Sequence, residues 1–197
     1  MIFREQIDPE LLLSAYRSGI FPMAESKGGD VHWYEPERRA IFPLDKLKVS
    51  RSLRQAINKK VYDVRLNTAF ERVMRSCADR DETWISETII RSYCELHRRG
   101  RAFSVESWRD DALVGGLYGV ALGGAFFGES MFSTMNNASK VALVALVQQL
   151  QKQGFVLLDA QFMTPHLESL GAVEISQKKY LSLLARALRL DRSFVEP

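Results

Sequence analysis

Gly128-Glu129-Ser130-Met131-Phe132-Ser133 ends an apolar run with an acid and two hydroxyls. Asn136, Asn137, Ser139 and Lys140 follow directly, at the start of a stretch with helical character. Donors and acceptors gathered at a helix N-terminus suit an anion, or an oxygen on which negative charge develops. The same residues also read as an elaborate capping loop. A second candidate is Leu157-Leu158-Asp159-Ala160-Gln161, where Asp159 and Gln161 fall on one side of an extended chain. An Asp at the end of a buried strand is costly unless it is paired or used. It can orient a nucleophilic amine or accept its proton. Gln161 is not basic near neutral pH, but its amide can position an amine or hold a carbonyl. The bland alternative is a polar strand end.

Trp84 precedes a helical stretch, and Trp33 and Tyr34 precede a basic window. Aromatics beside basic residues can stack on the bases of a single-stranded end, although a lone Trp more often belongs to a core. His32, His97 and His166 have neither an i+4 partner nor a cysteine neighbour, so no metal site is expected, and no cofactor. Cys77 and Cys94 read as reduced, structural thiols within helices. No Walker loop, Gly-x-Ser-x-Gly elbow or dinucleotide fingerprint is present; Gly115-Gly116-Leu117-Tyr118-Gly119 lies inside a strand and is a weak phosphate candidate.

The 197 residues are 46% hydrophobic and 26% charged, an ordinary globular composition with room for one domain and a small annex. The start has no basic region before an apolar run, and no stretch approaches the roughly 18 apolar residues that span a bilayer, so a cytoplasmic location is expected. The net charge of +3 is uneven. Between Arg38 and Arg65 nine Lys and Arg face two acids, giving that window +7. A local basic patch on a nearly neutral chain suits a phosphate backbone; it also suits a solvated helical face. Arg38, Arg39, Lys46, Lys48, Arg51, Arg54, Lys59 and Lys60 are the expected contacts to such a nucleic-acid backbone.

The elements that would position these residues are legible in outline. Asp8-Pro9-Glu10 opens a helix that Gly19 can close, and Ile20 to Met23 reads as an apolar loop. Ser50 caps a basic helix to about Lys60, Asn67 caps another with Phe70, Val73, Met74 and Cys77 inward, and Ser86 starts a third ending near Gly100. Ala102–Trp108, Ala112–Leu122 and Ala125–Gly128, joined by short turns, form an antiparallel meander. A long helix from Asn137 to about Gln153, a buried strand over Phe155–Asp159, and helical stretches at Pro165–Leu170 and Gln177–Leu190 complete the chain. This order describes an α+β domain of the acetyltransferase-like kind, an antiparallel-rich sheet flanked by helices.

Tyr16-Arg17-Ser18-Gly19-Ile20-Phe21-Pro22 resembles the early motif of the leucyl/phenylalanyl-tRNA–protein transferases. So do Thr83-Trp84-Ile85, Leu113 through Gly119, Gly128 through Ser133, Asn137-Ala138-Ser139-Lys140, Asp159-Ala160-Gln161 and His166 through Ile175. These run in the family's order over about Asp8 to Leu184. The resemblance implies an acetyltransferase-like catalytic domain, here residues 46–197, with a small, reduced N-terminal part over 1–45. It implies transfer of Leu or Phe from aminoacyl-tRNA to a protein's free N-terminus, without ATP, marking that protein for degradation by the N-degron route. Asp159 and Gln161 match catalytic residues, with Asp159 orienting Gln161 and helping the acceptor amine lose its proton. Glu129, with Ser130, Asn137 and Ser139 around it, matches the place of the terminal adenosine and amino acid. Leu117, Phe126 and Leu158 match an apolar pocket for side chains unbranched at Cβ, and Trp84 packs beside the adenosine. Many members have Trp where this chain has Met23. Acceptors in the family begin with Arg or Lys, and in divergent relatives with Asp or Glu.

Two other readings compete. An acyl-CoA N-acyltransferase would need a glycine-rich loop where Thr134-Met135-Asn136-Asn137 stands. A non-catalytic tRNA-binding module accounts for the basic window but not for Asp159 and Gln161. A monomer is expected, because no uncovered apolar stripe is evident.

Overall fold

A computed structural model describes residues 6–195. Helix α1 (Pro9–Arg17) starts where the sequence says it should: Asp8 accepts from the backbone N–H of Glu10 and Leu11, and Pro9 occupies the first turn. The apolar segment after it is not a loop. Strands β1 (Phe21–Ala24) and β2 (Val31–Tyr34) form a separate two-stranded antiparallel hairpin around the Lys27–Asp30 turn.

A seven-stranded sheet carries the rest. Its order is β4 (Asp63–Leu66), β5 (Ala102–Arg109), β6 (Ala112–Leu122), β7 (Ala125–Ser133), β8 (Leu157–Gln161), β3 (Arg38–Phe42) and β9 (Val173–Ser176). The meander β5–β6–β7 is as expected, with β7 running five residues beyond Gly128. Strand β3 was not expected. It pairs antiparallel with β8 on one side and β9 on the other, so Arg38–Phe42 packs with the C-terminal half of the chain. Residues 38–42 thus belong to the seven-stranded sheet and not to the hairpin sheet.

Helices cover both faces. On one, α5 (Ala138–Lys152) lies over β5 and β6, with α2 (Arg51–Asn58) behind it; Phe103, Val105, Leu117, Phe126, Leu146 and Leu158 make that core. On the other, α3 (Phe70–Ala78), α4 (Glu87–Arg98), α1 and α7 (Gln177–Leu188) pack on Tyr118, Val120, Leu122 and Phe127. The alternation of β6 between these two cores is the period of a strand buried on both faces. Gly115 lets α5 approach: a Cβ there would stand 2.6 Å from that of Ala138. Ser50 and Ser86 cap α2 and α4 as expected. Asn67 does not cap α3. It sits at φ 59° and accepts from Ser104 N–H, while buried Glu106 takes the Ala69 N–H and the Thr68 hydroxyl.

Two features open the sheet at its centre. Tyr118 pairs with Ser130 and Gly119 with Gly128, so Glu129 is the extra residue of a bulge. The parallel pair β7–β8 is held only through Phe127 and Asp159, after which the strands part. Gln161, at φ 61°, ends β8. The split between β7 and β8 is the floor of the functional cleft.

Candidate active site

The cleft encloses about 870 Å³ and reaches from one face of the sheet to the other. One end is apolar, lined by Leu117, Met131, Leu143, Leu146, Leu158 and Leu167. The other is polar and contains Glu129, Ser130, Gln161 and Trp84, with Asp79 and Arg80 at its rim. Met23 also lines the cleft, whereas its hairpin neighbour Trp33 is 41% exposed and does not.

Glu129 is the centre of the polar end. Its Oε1 accepts from the Tyr16 hydroxyl at 2.6 Å and from Gln161 Nε2 at 2.8 Å, and its Oε2 accepts from the Tyr93 hydroxyl at 3.3 Å. The Tyr16 and Tyr93 oxygens also contact each other, so two phenol protons are divided among three contacts. Burial pushes the Glu129 carboxyl up from 4.5 to about 7; the Tyr16 hydrogen bond pulls the other way, and the Asp159 charge adds to the rise. A carboxyl that titrates near neutrality inside a cleft is matched to moving a proton at physiological pH. Both phenols are held well above their usual range by burial and by the Glu129 charge, so they stay protonated as donors.

Gln161 donates to Glu129 through Nε2, which leaves its amide oxygen to accept from a ligand N–H. Asp159 fixes this residue from behind. It is fully buried, and its Oδ1 accepts the Gln161 backbone N–H at 2.9 Å. Its remaining capacity is taken by Arg39, at 2.9 Å and 3.2 Å through Nε and 2.6 Å through Nη2, and by the Tyr180 hydroxyl at 2.8 Å. Arg39 is 1% exposed, lies between the Phe21 and Tyr180 rings, and donates also to Gly19 O. Burial lowers its pKa, but the Asp159 hydrogen bonds and charge outweigh that and hold it above the usual value.

Six of the expected substrate-binding residues line the cleft: Trp84, Leu117, Glu129, Ser130, Ser139 and Leu158. Two do not. Phe126 is fully buried against Phe194, a core residue beneath the apolar end. Asn137 sits at φ 66° with no side-chain cap; the Ser133 hydroxyl instead accepts the Ser139 N–H. Leu143 and Leu146 were missed because, at i and i+3 on an apolar helix, they are indistinguishable from core by pattern.

The basic window divides. Arg39 cannot reach a phosphate, being sealed against Asp159, and Arg38 pairs with Glu174 at 2.8 Å. Lys46, Lys48, Arg51, Arg54, Lys59 and Lys60 are exposed. Lys48 N–H bonds to Leu170 O just after α6 (Pro165–Ser169), whose His166 lines the cleft, so this surface adjoins it. Among the described residues no group of three or more His, Cys, Asp or Glu is placed to hold a metal, and no helix is long and apolar enough to cross a membrane.

Known proteins match along nearly the whole chain. The family model "Leucyl/phenylalanyl-tRNA protein transferase" matches residues 41–185, and that of its N-terminal domain matches 5–37. The chain is 56% identical over 190 residues to a leucyl/phenylalanyl-tRNA–protein transferase of Rubrobacter xylanophilus, spanning 96% of this chain and 99% of that one. It is 54% identical to one of Gloeobacter violaceus, over 95% of this chain and 97% of that one. A further relative, from Chlorobaculum tepidum, is 53% identical over 96% of this chain and 100% of its own. Among solved structures, L-PGS from Bacillus licheniformis overlaps at a TM-score of 0.43 and 14% identity, covering 83% of this chain and 56% of that one, too loosely to bear on function. Two family models that abut between 37 and 41, and relatives of matching length at over half identity, leave one assignment: the chain belongs to the leucyl/phenylalanyl-tRNA–protein transferase family.

Proposed function

We propose that the cleft receives the aminoacylated 3′ end of tRNA and joins its Leu or Phe to the N-terminal amine of an acceptor protein. The observation that carries this reading is the pairing of a buried carboxyl near pKa 7, Glu129, with an oriented amide, Gln161, at the junction of polar and apolar ends. The apolar end takes the donor side chain, accepting by shape a Cβ that carries one heavy substituent and crowding Ile or Val. The ester carbonyl then lies near the split between β7 and β8. The Gln161 amide oxygen accepts an N–H of the acceptor amine and aims its lone pair at the carbonyl carbon. The new C–N bond forms, the C–O bond to ribose breaks, and the proton leaving nitrogen passes through the Glu129 carboxylate to the departing ribose oxygen. The ester is already activated, so no nucleotide is consumed. Asp159, cast from the sequence as aiding proton loss, is assigned instead as the residue that positions Gln161, because its oxygens are occupied by Arg39, Tyr180 and the Gln161 N–H.

Lys46, Lys48, Arg51, Arg54, Lys59 and Lys60 supply the phosphate contacts that bring tRNA to the cleft, and Trp84 with Met23 flanks the terminal adenosine. The N-terminal part, expected over residues 1–45, gives way on this reading to the catalytic domain before Arg38, which the pairing of β3 in the larger sheet supports. A monomer working in the cytoplasm, where charged tRNA is available, completes the reading. Its acceptors have a free N-terminal Arg or Lys, or alternatively Asp or Glu, and its products enter the N-degron route. The exposed large apolar residues Leu11, Trp33, Val64, Val156, Phe162, Val173 and Leu181 lie on different elements and loops, which supports the monomer. The test is donor choice: leucyl- and phenylalanyl-tRNA should transfer to a peptide at least about tenfold faster than isoleucyl- or valyl-tRNA. Equal rates would remove the apolar end from the specificity of the reaction.

A further inference from the structure

The loop between α3 and α4 carries Trp84 on one side of the cleft mouth and Arg80 beside it. Arg80 is exposed, and its Nη2 donates to the backbone carbonyl of Met131, on the stretch of β7 that has left β8. Asp79, Asp81 and Glu82 flank it in sequence. Even so, among the described residues no carboxylate is within ion-pair distance of its guanidinium, whereas Arg38, Arg65, Arg75, Arg98 and Arg99 all have such partners. A guanidinium has five N–H donors, so the bond to Met131 anchors it and leaves a fork for planar, anionic oxygens. Arg80 is also the one Lys or Arg among the residues that line the cleft. The exposed cations of α2 and of Lys46–Lys48 are not in that lining.

A nucleic-acid end that enters this cleft with its last nucleoside inside must carry its last phosphodiester across the rim. We infer that Arg80 is the subsite for that phosphate, the group linking the terminal nucleoside to the nucleotide before it. The role is distinct from that of the α2 surface, which meets phosphates farther along the strand, and it rests on the reading that the cleft holds the aminoacyl-nucleoside end. Fixing the 5′ side of the terminal ribose beside Trp84 sets the direction in which the aminoacyl ester points toward Glu129 and Gln161.

The test uses two non-hydrolysable donor mimics, adenosine bearing an amide-linked leucine at its 3′ position and the same compound with a 5′-phosphate. Wild type should bind the phosphorylated mimic about tenfold more tightly, the fold-change expected for one partly solvated charge-assisted contact. Arg80→Ala should abolish that difference and leave the affinity for the unphosphorylated mimic unchanged, and Arg80→Lys should restore part of it. The melting temperature should not move, because the side chain is exposed. An Arg80→Ala variant that keeps the tenfold gap, or that loses affinity equally for both mimics, overturns the phosphate subsite. Wild type that binds the unphosphorylated mimic but gains nothing from the phosphate overturns it while leaving the cleft reading in place. Wild type that binds neither mimic overturns both.

Discussion

Replacing Arg39 with Met tests the proposition that the reactive residues are held by a buried ion pair. Met approximates the length of the aliphatic stem and keeps contact with the Phe21 and Tyr180 rings, but it removes every donor to Asp159. The carboxylate would remain fully buried with only Tyr180 and the Gln161 N–H as partners. Removing one member of a buried pair leaves an uncompensated charge and costs about 3–5 kcal/mol. The Gly19 carbonyl would lose a charged donor at 2.9 Å as well, which places the expected loss at the upper end. The companion is Arg39→Met with Asp159→Asn. It discharges the orphan while keeping an acceptor for the Gln161 N–H and offering an amide N–H to the Tyr180 oxygen, and should recover about 2 kcal/mol relative to the sum of the single losses. Urea unfolding of the wild type, both single variants and the double variant gives all four numbers. The activity of the double variant should stay low even where it is folded, because Asn holds the Gln161 backbone less tightly than a carboxylate. If Arg39→Met costs under about 1 kcal/mol, or the two losses simply add, the pair is not what fixes Gln161.

Four further variants follow from the same geometry. Glu129→Gln keeps an Oε1 acceptor for Tyr16 and Gln161 and offers an amide N–H to Tyr93, so it should fold; transfer should fall at least about a hundredfold and lose the rise through pH 7, read from initial rates between pH 5.5 and 8.5. Because the folded carboxyl titrates at about 7 against 4.5 for the ordinary group, wild type sheds stability as pH rises across that interval; Glu129→Gln should remove this slope and gain up to about 3 kcal/mol above pH 7, none below 4.5. Tyr118→Phe deletes a fully buried hydroxyl that has no hydrogen-bond partner among the described residues, so thermal unfolding should show no loss and a gain of up to about 1 kcal/mol. Gly115→Ala drives a methyl into Ala138 at 2.6 Å and should destabilise by about 1–3 kcal/mol in urea while shifting α5, whose Ser139, Leu143 and Leu146 line the cleft. Reversing Arg51, Arg54, Lys59 and Lys60 to Glu should weaken tRNA binding and flatten its dependence on salt, with little effect on the unphosphorylated nucleoside mimic.

What the sequence revealed and what it hid divide along contact range. Helices opened by Asp8, Ser50 and Ser86 were legible because the cap bonds to N–H groups two or three residues on. The meander was legible because its turns are short and its strands alternate. Strand β3 was not. Arg38-Arg39 reads as surface charge, and Arg39 becomes an interior residue only through Asp159, 120 positions away. Phe70 does begin a helix, but Asn67 does not cap it; the N–H of Ala69 just before it is taken by Glu106, again a partner from a distant strand. Asp159, Gln161 and Glu129 stood out in the sequence by their types and by the family's motifs. Their division of labour required the bulge at Glu129, the parting of β7 and β8, and Tyr16 from a helix 113 residues earlier. Leu143, Leu146 and Arg80 were beyond pattern: the leucines look like core, and Arg80 looks like one more charge in a polar loop.

The most direct test of the whole account is transfer itself. Purified protein would be mixed with tRNA charged with labelled leucine and with peptides beginning with Arg, Lys, Asp or Glu, alongside the same peptides acetylated at the N-terminus. Label should enter at least one free-amine peptide and no acetylated one, and the Glu129→Gln and Gln161→Ala variants, folded and still binding charged tRNA, should transfer little. Label in Arg or Lys peptides would identify basic acceptors, and label only in Asp or Glu peptides would identify acidic ones. Charged tRNA that binds but yields no labelled peptide, or variants that transfer as well as wild type, would contradict the account.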